Sequence, residues 1–320
     1  MAKKAWYSEE LTASVMVHLR MDRVLVQEET PHHDLLIFEN DALGRVMTID
    51  EGIQLTTRGE AIYHEFLAHV PLIAHGAPER VLIIGGGDGG TAREVLKHRG
   101  VKSVTQIDID ARVIEACKAH LPSLNAGAFD DPRFALRIGD GAAVISELAG
   151  QVDVLIIDAA DPDDGASETL FTPEFFLSCR RALRPGGVLV SQGGCPAFEP
   201  YMARGMIARL AAAFGQTVGI FSQTTPDFFC GAHAFTWAGN GVDISALDMP
   251  TLQARAAAAA LETLHYCAEA HFGSFLLTKA MRKLVDEGKR GIGADVVSLV
   301  EGGTFDAAKR DADAADLRQA

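Results

Sequence analysis

The chain has 320 residues, 48% hydrophobic and 22% charged, enough apolar mass for one large domain or for a core domain with a smaller companion. Its 29 Lys and Arg against 43 Asp and Glu leave a formal net charge of -14, a balance that repels a nucleic-acid backbone and suits a cationic or neutral ligand. No apolar run approaches the roughly 20 residues of a membrane span, and the opening MAKKAWYSEELTAS lacks the apolar segment of a secretory signal, so neither nucleic acid nor membrane is an expected partner and the cytoplasm is the expected location.

From Ser14 to about Thr57 short apolar runs alternate with turn residues (VMVHLRM, RVLVQEE, DLLIFEN, GRVMTID, IQLTT), and this period-two pattern predicts a small antiparallel β unit. GEAIYHEFLAHVPLIAHG then carries helical spacing. From Arg80 the rhythm becomes strand, helix, strand. RVLIIGG, SVTQIDID, RFALRIGDG and VDVLIIDAAD are apolar runs separated by the helical patterns GTAREVLKHRG, RVIEACKAHL and AAVISELAG. TPEFFLSCRRALRPGG, with proline inside its start and glycines past its end, predicts a further helix before VLVSQGG, and QTVGIFSQTT with AHAFTWAG predicts a closing hairpin. LQARAAAAALETL is a strong helix former. This alternation predicts an α/β fold, a Rossmann-like doubly wound, mainly parallel sheet with right-handed crossovers. The expected division is a β domain over 1–70, a catalytic domain over 71–286 and a tail over 287–320.

In such a sheet the ligand lies across the carboxyl ends of the strands. Each strand delivers an acid there: Asp88 after the first, Asp108 and Asp110 after the second, Asp140 after the third, Asp158 and Asp161 after the fourth. Gly85, Gly87 and Gly90 satisfy G-x-G-x-x-G, and Asp108 lies where an acid can bind a ribose diol. A dinucleotide would bring its pyrophosphate to the loop, where Asp88 would oppose it by about 1–4 kcal/mol. A nucleoside ligand with a cationic group avoids that repulsion, and S-adenosyl compounds answer the description. The intact methyl donor still carries a carboxylate towards the loop, whereas its decarboxylated form keeps only the amine. Asp88 could instead be a turn-former capping the next helix. Asp158 and Asp161, in DAAD, can hold a cationic amine and take its proton. They too could be cap or turn residues, before TPEFF. The following DPDDGASETLF could close over the site.

VLIIGGGDGGTAREVLKH, YHE, DDPRF, IGDG, D-x-x-DP, LFTPEFF and LRPGGVLVSQ, in this order and spacing over roughly Trp6 to Gly239, resemble the spermidine synthases, the polyamine aminopropyltransferases. The resemblance implies an N-terminal β domain used in homodimer or homotetramer contacts, and transfer of the aminopropyl group of decarboxylated S-adenosylmethionine to putrescine, giving spermidine and 5'-methylthioadenosine with no metal or resident cofactor. It implies that Asp88 holds the donor amine, Asp108 the ribose hydroxyls in place of the family's usual glutamate, and Asp140 the adenine amino group, with Gln54, Gly85, Gly87 and Gly141 completing the donor site. Asp158, as proton acceptor, and Asp161 would hold the diamine, with His33, Tyr63, His64, Gln192 and Phe228 around it.

Departures from the family pattern fall on the acceptor side. The family's P-T-Y reads Pro226-Asp227-Phe228, R-D-E-F reads Arg58-Gly59-Glu60-Ala61, D-P-x-G-P reads Asp161-Pro162-Asp163-Asp164-Gly165, and a glutamine near the diamine appears as His33. An acceptor such as cadaverine, agmatine or spermidine therefore stays open, as do a methyltransferase and a non-catalytic nucleoside or polyamine sensor. HEFLAH is no metalloprotease motif, because its histidines are five apart and about 140° around a helix. His32-His33-Asp34 reads as a polar loop. The five cysteines are scattered with no C-x-x-C pair, and Cys195 and Cys230 are expected to pack rather than react.

Overall fold

The computed structural model describes residues 5–12, 14–160, 169–293, 300–301 and 304–305. Asp161 and the rest of the expected gate loop to residue 168 lie outside the described residues, as does most of the tail. Strands β1 (Ala5–Thr12) and β2 (Val15–Met21) form an antiparallel hairpin, and β3 (Arg23–Glu29), β4 (Asp34–Asn40), β5 (Gly44–Ile49) and β6 (Gly52–Thr56) form a four-stranded antiparallel sheet. The hydrophobic pattern gave no sign of β1. Tyr7, Glu9 and Leu11 alternate inward against exposed Trp6, Ser8 and Glu10, but a carboxylate on the inner face breaks the apolar signature. Glu9 is there because it lines the ligand cavity and accepts the Ile53 N–H at 3.0 Å.

Helix α1 (Glu60–His75) follows Gly59 and stops at Gly76, whose φ of 88° lets its N–H return to the Leu72 carbonyl. The large sheet then builds in the expected order: β7 (Arg80–Gly85), α2 (Gly90–Leu96), β8 (Ser103–Asp108), α3 (Ala111–His120), α4 (Pro122–Asn125), β9 (Phe134–Ile138), α5 (Gly141–Ser146), β10 (Val152–Asp158), α6 (Pro173–Ala182), β11 (Leu183–Gln192), α7 (Pro200–Phe214), β12 (Val218–Thr224) and β13 (Ala232–Gly239). The strand order is β12-β13-β11-β10-β7-β8-β9, parallel from β11 to β9 and antiparallel where β13 meets β11 and β12. This is a Rossmann-like, methyltransferase-type sheet, and its direction of progression reverses between β7 and β10, where ligands bind in open α/β sheets. Successive residues of each buried strand enter opposite cores: Leu82, Ile84, Leu155 and Ile157 one, Val81, Ile83, Val154 and Ile156 the other.

Two element boundaries differ from expectation. TPEFF starts a helix, capped by Thr172, but the helix ends at Ala182, and LRPGG already belongs to β11, with an irregular register opposite Val152–Val154. The alanine-rich α8 (Met249–Ala259) stops at Ala260, which has a φ of 50°, so LETL lies beyond it. α9 (Ala268–Ser274) and α10 (Lys279–Lys289) follow, and the Glu287 carboxylate of α10 meets Arg204 of α7 at 3.5 Å. No helix among the described residues is long and apolar enough to cross a membrane.

Candidate active site

A cavity of about 240 Å³ opens at the carboxyl ends of β7, β8, β9 and β10 and is closed on its far side by β1, β5 and β6. Every described residue assigned to the donor or acceptor set lines it: Gln54, Gly85, Gly87, Asp88, Asp108, Asp140 and Gly141 from the first, and His33, Tyr63, His64, Asp158, Gln192 and Phe228 from the second. Gly90 and Asp110, also singled out from the sequence, are not part of this lining, and Asp110 instead caps α3 through the Arg112 and Val113 N–H groups. Asp161 lies outside the described residues.

The glycine loop is shaped first by its neighbour strand. Gly85 has a φ of 82°, and a Cβ there would stand 2.7 Å from the carbonyl carbon of Asp158 and closer still to its oxygen. The Gly86 N–H donates to that same oxygen at 2.7 Å. Glycine thus lets the ends of β7 and β10 converge, which brings Asp88 and Asp158 to one cavity. Asp88 is both turn-former and cavity wall. Its Oδ1 accepts the Gly90 N–H at 2.7 Å and meets His64 Nε2 at 3.3 Å. Asp108 accepts the Asp110 N–H, and burial pushes its carboxyl up to about 6 against that bond. Asp140 caps α5 through the Ala142 N–H at 2.8 Å.

Asp158 accepts two hydroxyls, Tyr63 at 2.8 Å on Oδ1 and Thr91 at 2.6 Å on Oδ2. Burial, with the Asp88 charge behind it, raises its pKa above the usual carboxylate range. The cap role considered for it belongs to Thr172, which starts α6. Phe228 meets Tyr63 edge-on with ring centroids 5.6 Å apart and stacks on His233 at 4.8 Å. Burial holds that histidine neutral, its pKa pushed down to about 3. The Gln192 side-chain oxygen accepts the Gly194 N–H at 2.9 Å. His33 is braced by Asp50 at 2.6 Å and lines the same cavity.

Sequence reasoning missed the charge that balances the acids. His64 Nδ1 meets Glu60 Oε2 at 2.6 Å, and both Glu60 oxygens are held by Arg93, at 3.0 and 2.8 Å. Burial opposes an imidazolium, but Asp88 and Glu60 outweigh it and raise the His64 pKa well above its ordinary value. Asp88 is correspondingly lowered, the attraction of His64 overcoming its own burial. The i, i+4 spacing of Glu60 and His64 was a usable signal; nothing local announced Arg93 or Thr91. The ligand atoms of His64, Asp88 and Asp158 all lie within 4.8 Å of one another, a spacing that also suits a metal ion. An imidazolium has no lone pair for a metal, so an ion here would have to displace the proton that two carboxylates stabilise. Five residues on, His69 turns away from the cavity to meet Glu94 and His98, each at 3.0 Å, which leaves HEFLAH no shared metal.

The comparisons with known proteins divide the chain where the fold does. Residues 60–246 match the spermine/spermidine synthase domain, and residues 5–57 match the spermidine synthase tetramerisation domain. A polyamine aminopropyltransferase of Pectobacterium carotovorum subsp. carotovorum (strain PC1) is 44% identical over 275 residues, 86% of this chain and 95% of its own. One of Yersinia pestis (strain Pestoides F) is 41% identical over 293 residues, 92% of this chain and 98% of its own. Among solved structures, a spermidine synthase in complex with the transition state analogue AdoDATO superposes with a TM-score of 0.83 at 34% identity, covering 88% of this chain and 95% of that one. The spermidine synthase of Thermotoga maritima gives a TM-score of 0.80 at 33% identity, covering 88% and 94%. The strand-end acids, the sheet that presents them and the β unit that closes the cavity all fall inside these matches, and the chain belongs to the spermine/spermidine synthase family.

Proposed function

We infer that the chain is a polyamine aminopropyltransferase that moves the aminopropyl group of decarboxylated S-adenosylmethionine to a short diamine, putrescine first, giving spermidine and 5'-methylthioadenosine. The observation that carries this reading is the pair of carboxylates, buried Asp88 and half-buried Asp158, facing one cavity with His64 within 4.8 Å of both. Asp108 would take the ribose hydroxyls and Asp140 the adenine amino group, with Gln54, Gly85, Gly87 and Gly141 as walls. Asp88 Oδ1 meets the Gly90 N–H and His64, and its Oδ2 would take the donor amine.

A primary amine with a pKa of about 10.4 is almost wholly protonated at neutral pH and cannot attack. Asp158, steadied by the hydroxyls of Tyr63 and Thr91 and raised in pKa, is the group suited to take that proton. The freed nitrogen lone pair attacks the propyl carbon bound to sulfur, the N–C bond forms as the C–S bond breaks, and the bonding pair leaves with sulfur as a neutral thioether. The enzyme's task is alignment and proton removal, because the sulfonium already leaves well. Phe228, Tyr63 and His233 give the diamine's methylenes an apolar wall, and Asp161 would hold its far amine. Assembly into a homodimer or homotetramer through the β unit is supported by the matched tetramerisation domain and by Trp6, Met16 and Val24, which stand 57%, 53% and 44% exposed on it. The cytoplasm remains the proposed location.

The test is product analysis of purified protein with the decarboxylated donor and a panel of putrescine, cadaverine, agmatine and spermidine. Spermidine and methylthioadenosine from putrescine are expected. Absence of both across the panel, or tighter binding of intact S-adenosylmethionine than of its decarboxylated form, overturns the reading.

A further inference from the structure

Two departures from the family pattern, 59 and 227, are far apart in sequence and meet in space. Asp227 is 2% exposed, in the Pro226–Phe228 turn. Its Oδ1 accepts the Thr56 hydroxyl at 2.6 Å, and that same hydroxyl oxygen accepts the Gly59 N–H at 3.1 Å, at the start of α1. A Cβ on Gly59 would stand 2.8 Å from Cγ of Asp227 and closer still to Oδ1. The backbone of Gly59 is ordinary, with φ of -108°, so glycine is required there by the neighbouring carboxylate and not by the chain's own conformation. The acid that the family pattern puts at the first position of this contact is supplied here from the second.

The consequence falls on the acceptor wall. Phe228, next in sequence to Asp227, meets Tyr63 of α1 edge-on, and Tyr63 in turn holds Asp158. The turn and the helix reach the cavity from different parts of the chain, and the Thr56–Asp227 bond joins them at the root. We propose that Asp227 is a positioning residue for acceptor binding: seated in the space a side chain at 59 would fill, its carboxylate fixes the turn carrying Phe228 against the helix carrying Tyr63 and His64. Burial pushes this carboxyl up to about 6, against the hydrogen bonds from Thr56. The inference takes its substrate from the aminopropyltransferase reading but owes its pairing of Gly59 with Asp227 to geometry alone.

The experiment is a double-mutant cycle, Asp227→Thr, Gly59→Asp and the two together, with Asp227→Asn as the conservative variant, read by acceptor KM, donor KM, kcat and melting temperature. Asp227→Thr is expected to raise acceptor KM about tenfold while kcat and donor KM stay within about threefold. Gly59→Asp should be worse alone, because it meets Asp227, and the pair should return to within about threefold of the parent, a coupling that independent sites do not show. Asp227→Asn keeps an acceptor oxygen for Thr56 and should retain most of the parent's acceptor KM. An unchanged acceptor KM in Asp227→Thr, equal rises in both KM values, or a double variant as poor as the singles combined overturns the proposal. Should Gly59→Asp not fold, the two Asp227 variants decide it. Should the parent transfer nothing to any diamine, the functional reading fails and the acceptor role with it, and melting temperatures of the cycle judge the pairing alone: recovery in the double supports it and no recovery ends it.

Discussion

At the end of the cavity proposed for the donor the polar groups stand at consecutive strand ends, Asp88 after β7, Asp108 closing β8 and Asp140 after β9. At the end proposed for the acceptor Tyr63 comes from α1, Asp158 from β10, Gln192 from β11 and Phe228 from the turn before β13, four segments brought together only by the completed sheet. A donor-end acid keeps its place as long as its own strand keeps its register. An acceptor-end group depends on partners far away in sequence, as Asp158 does on Tyr63 and Thr91. A substitution at the acceptor end should therefore need a matching change elsewhere, as proposed above for Gly59 and Asp227.

The largest expected effect is at the acceptor end. Asp158→Asn should lower kcat by about 10²–10⁴-fold, the usual contribution of a positioned acid or base, while methylthioadenosine binds as before. Steady-state turnover beside product titration measures both, and unchanged turnover would move the proton acceptor elsewhere. Next in size, Asp88→Asn should weaken the decarboxylated donor by about 10–100-fold, the weight of a hydrogen bond to a charged group, and methylthioadenosine, which has no amine, much less. Calorimetric titration of the two ligands separates the roles, since equal losses would leave Asp88 only its turn bond to Gly90. The smallest effect is a pH dependence confined to the donor end. Asp108 is held up to about 6, so it is a carboxylate above that pH and carries a proton below it. Methylthioadenosine affinity should accordingly fall as the pH drops through about 6, and Asp108→Asn should flatten that limb. A limb that persists in the variant would assign it to another group, and Asp227, also held up to about 6, would then be substituted in turn.

Two histidines on α1 show where legibility ended. His64 and His69 share a helix, yet one is charged between Asp88 and Glu60 and the other is folded into a sealed cluster with Glu94 and His98, whose own pKa burial pushes down to about 3. Helical spacing separated their faces in advance but could not say what each face met. β1 was missed for a related reason: Glu9 points inward to serve the cavity, so function erased the apolar alternation that marks a strand. The start of β11 was missed because proline and two glycines imitate a loop where the strand carries an irregular register.

The sequence by itself determined the parallel sheet, the converging glycine loop and the row of acids at one edge, because strand periodicity and the residue after each apolar run are local properties of the chain. Only the tertiary structure decided which of those acids have lowered and which have raised pKa values, and why residue 59 suits glycine. Those outcomes depend on burial and on distances of a few ångströms between residues such as His64 and Asp88, or Gly59 and Asp227, which no stretch of sequence brings together.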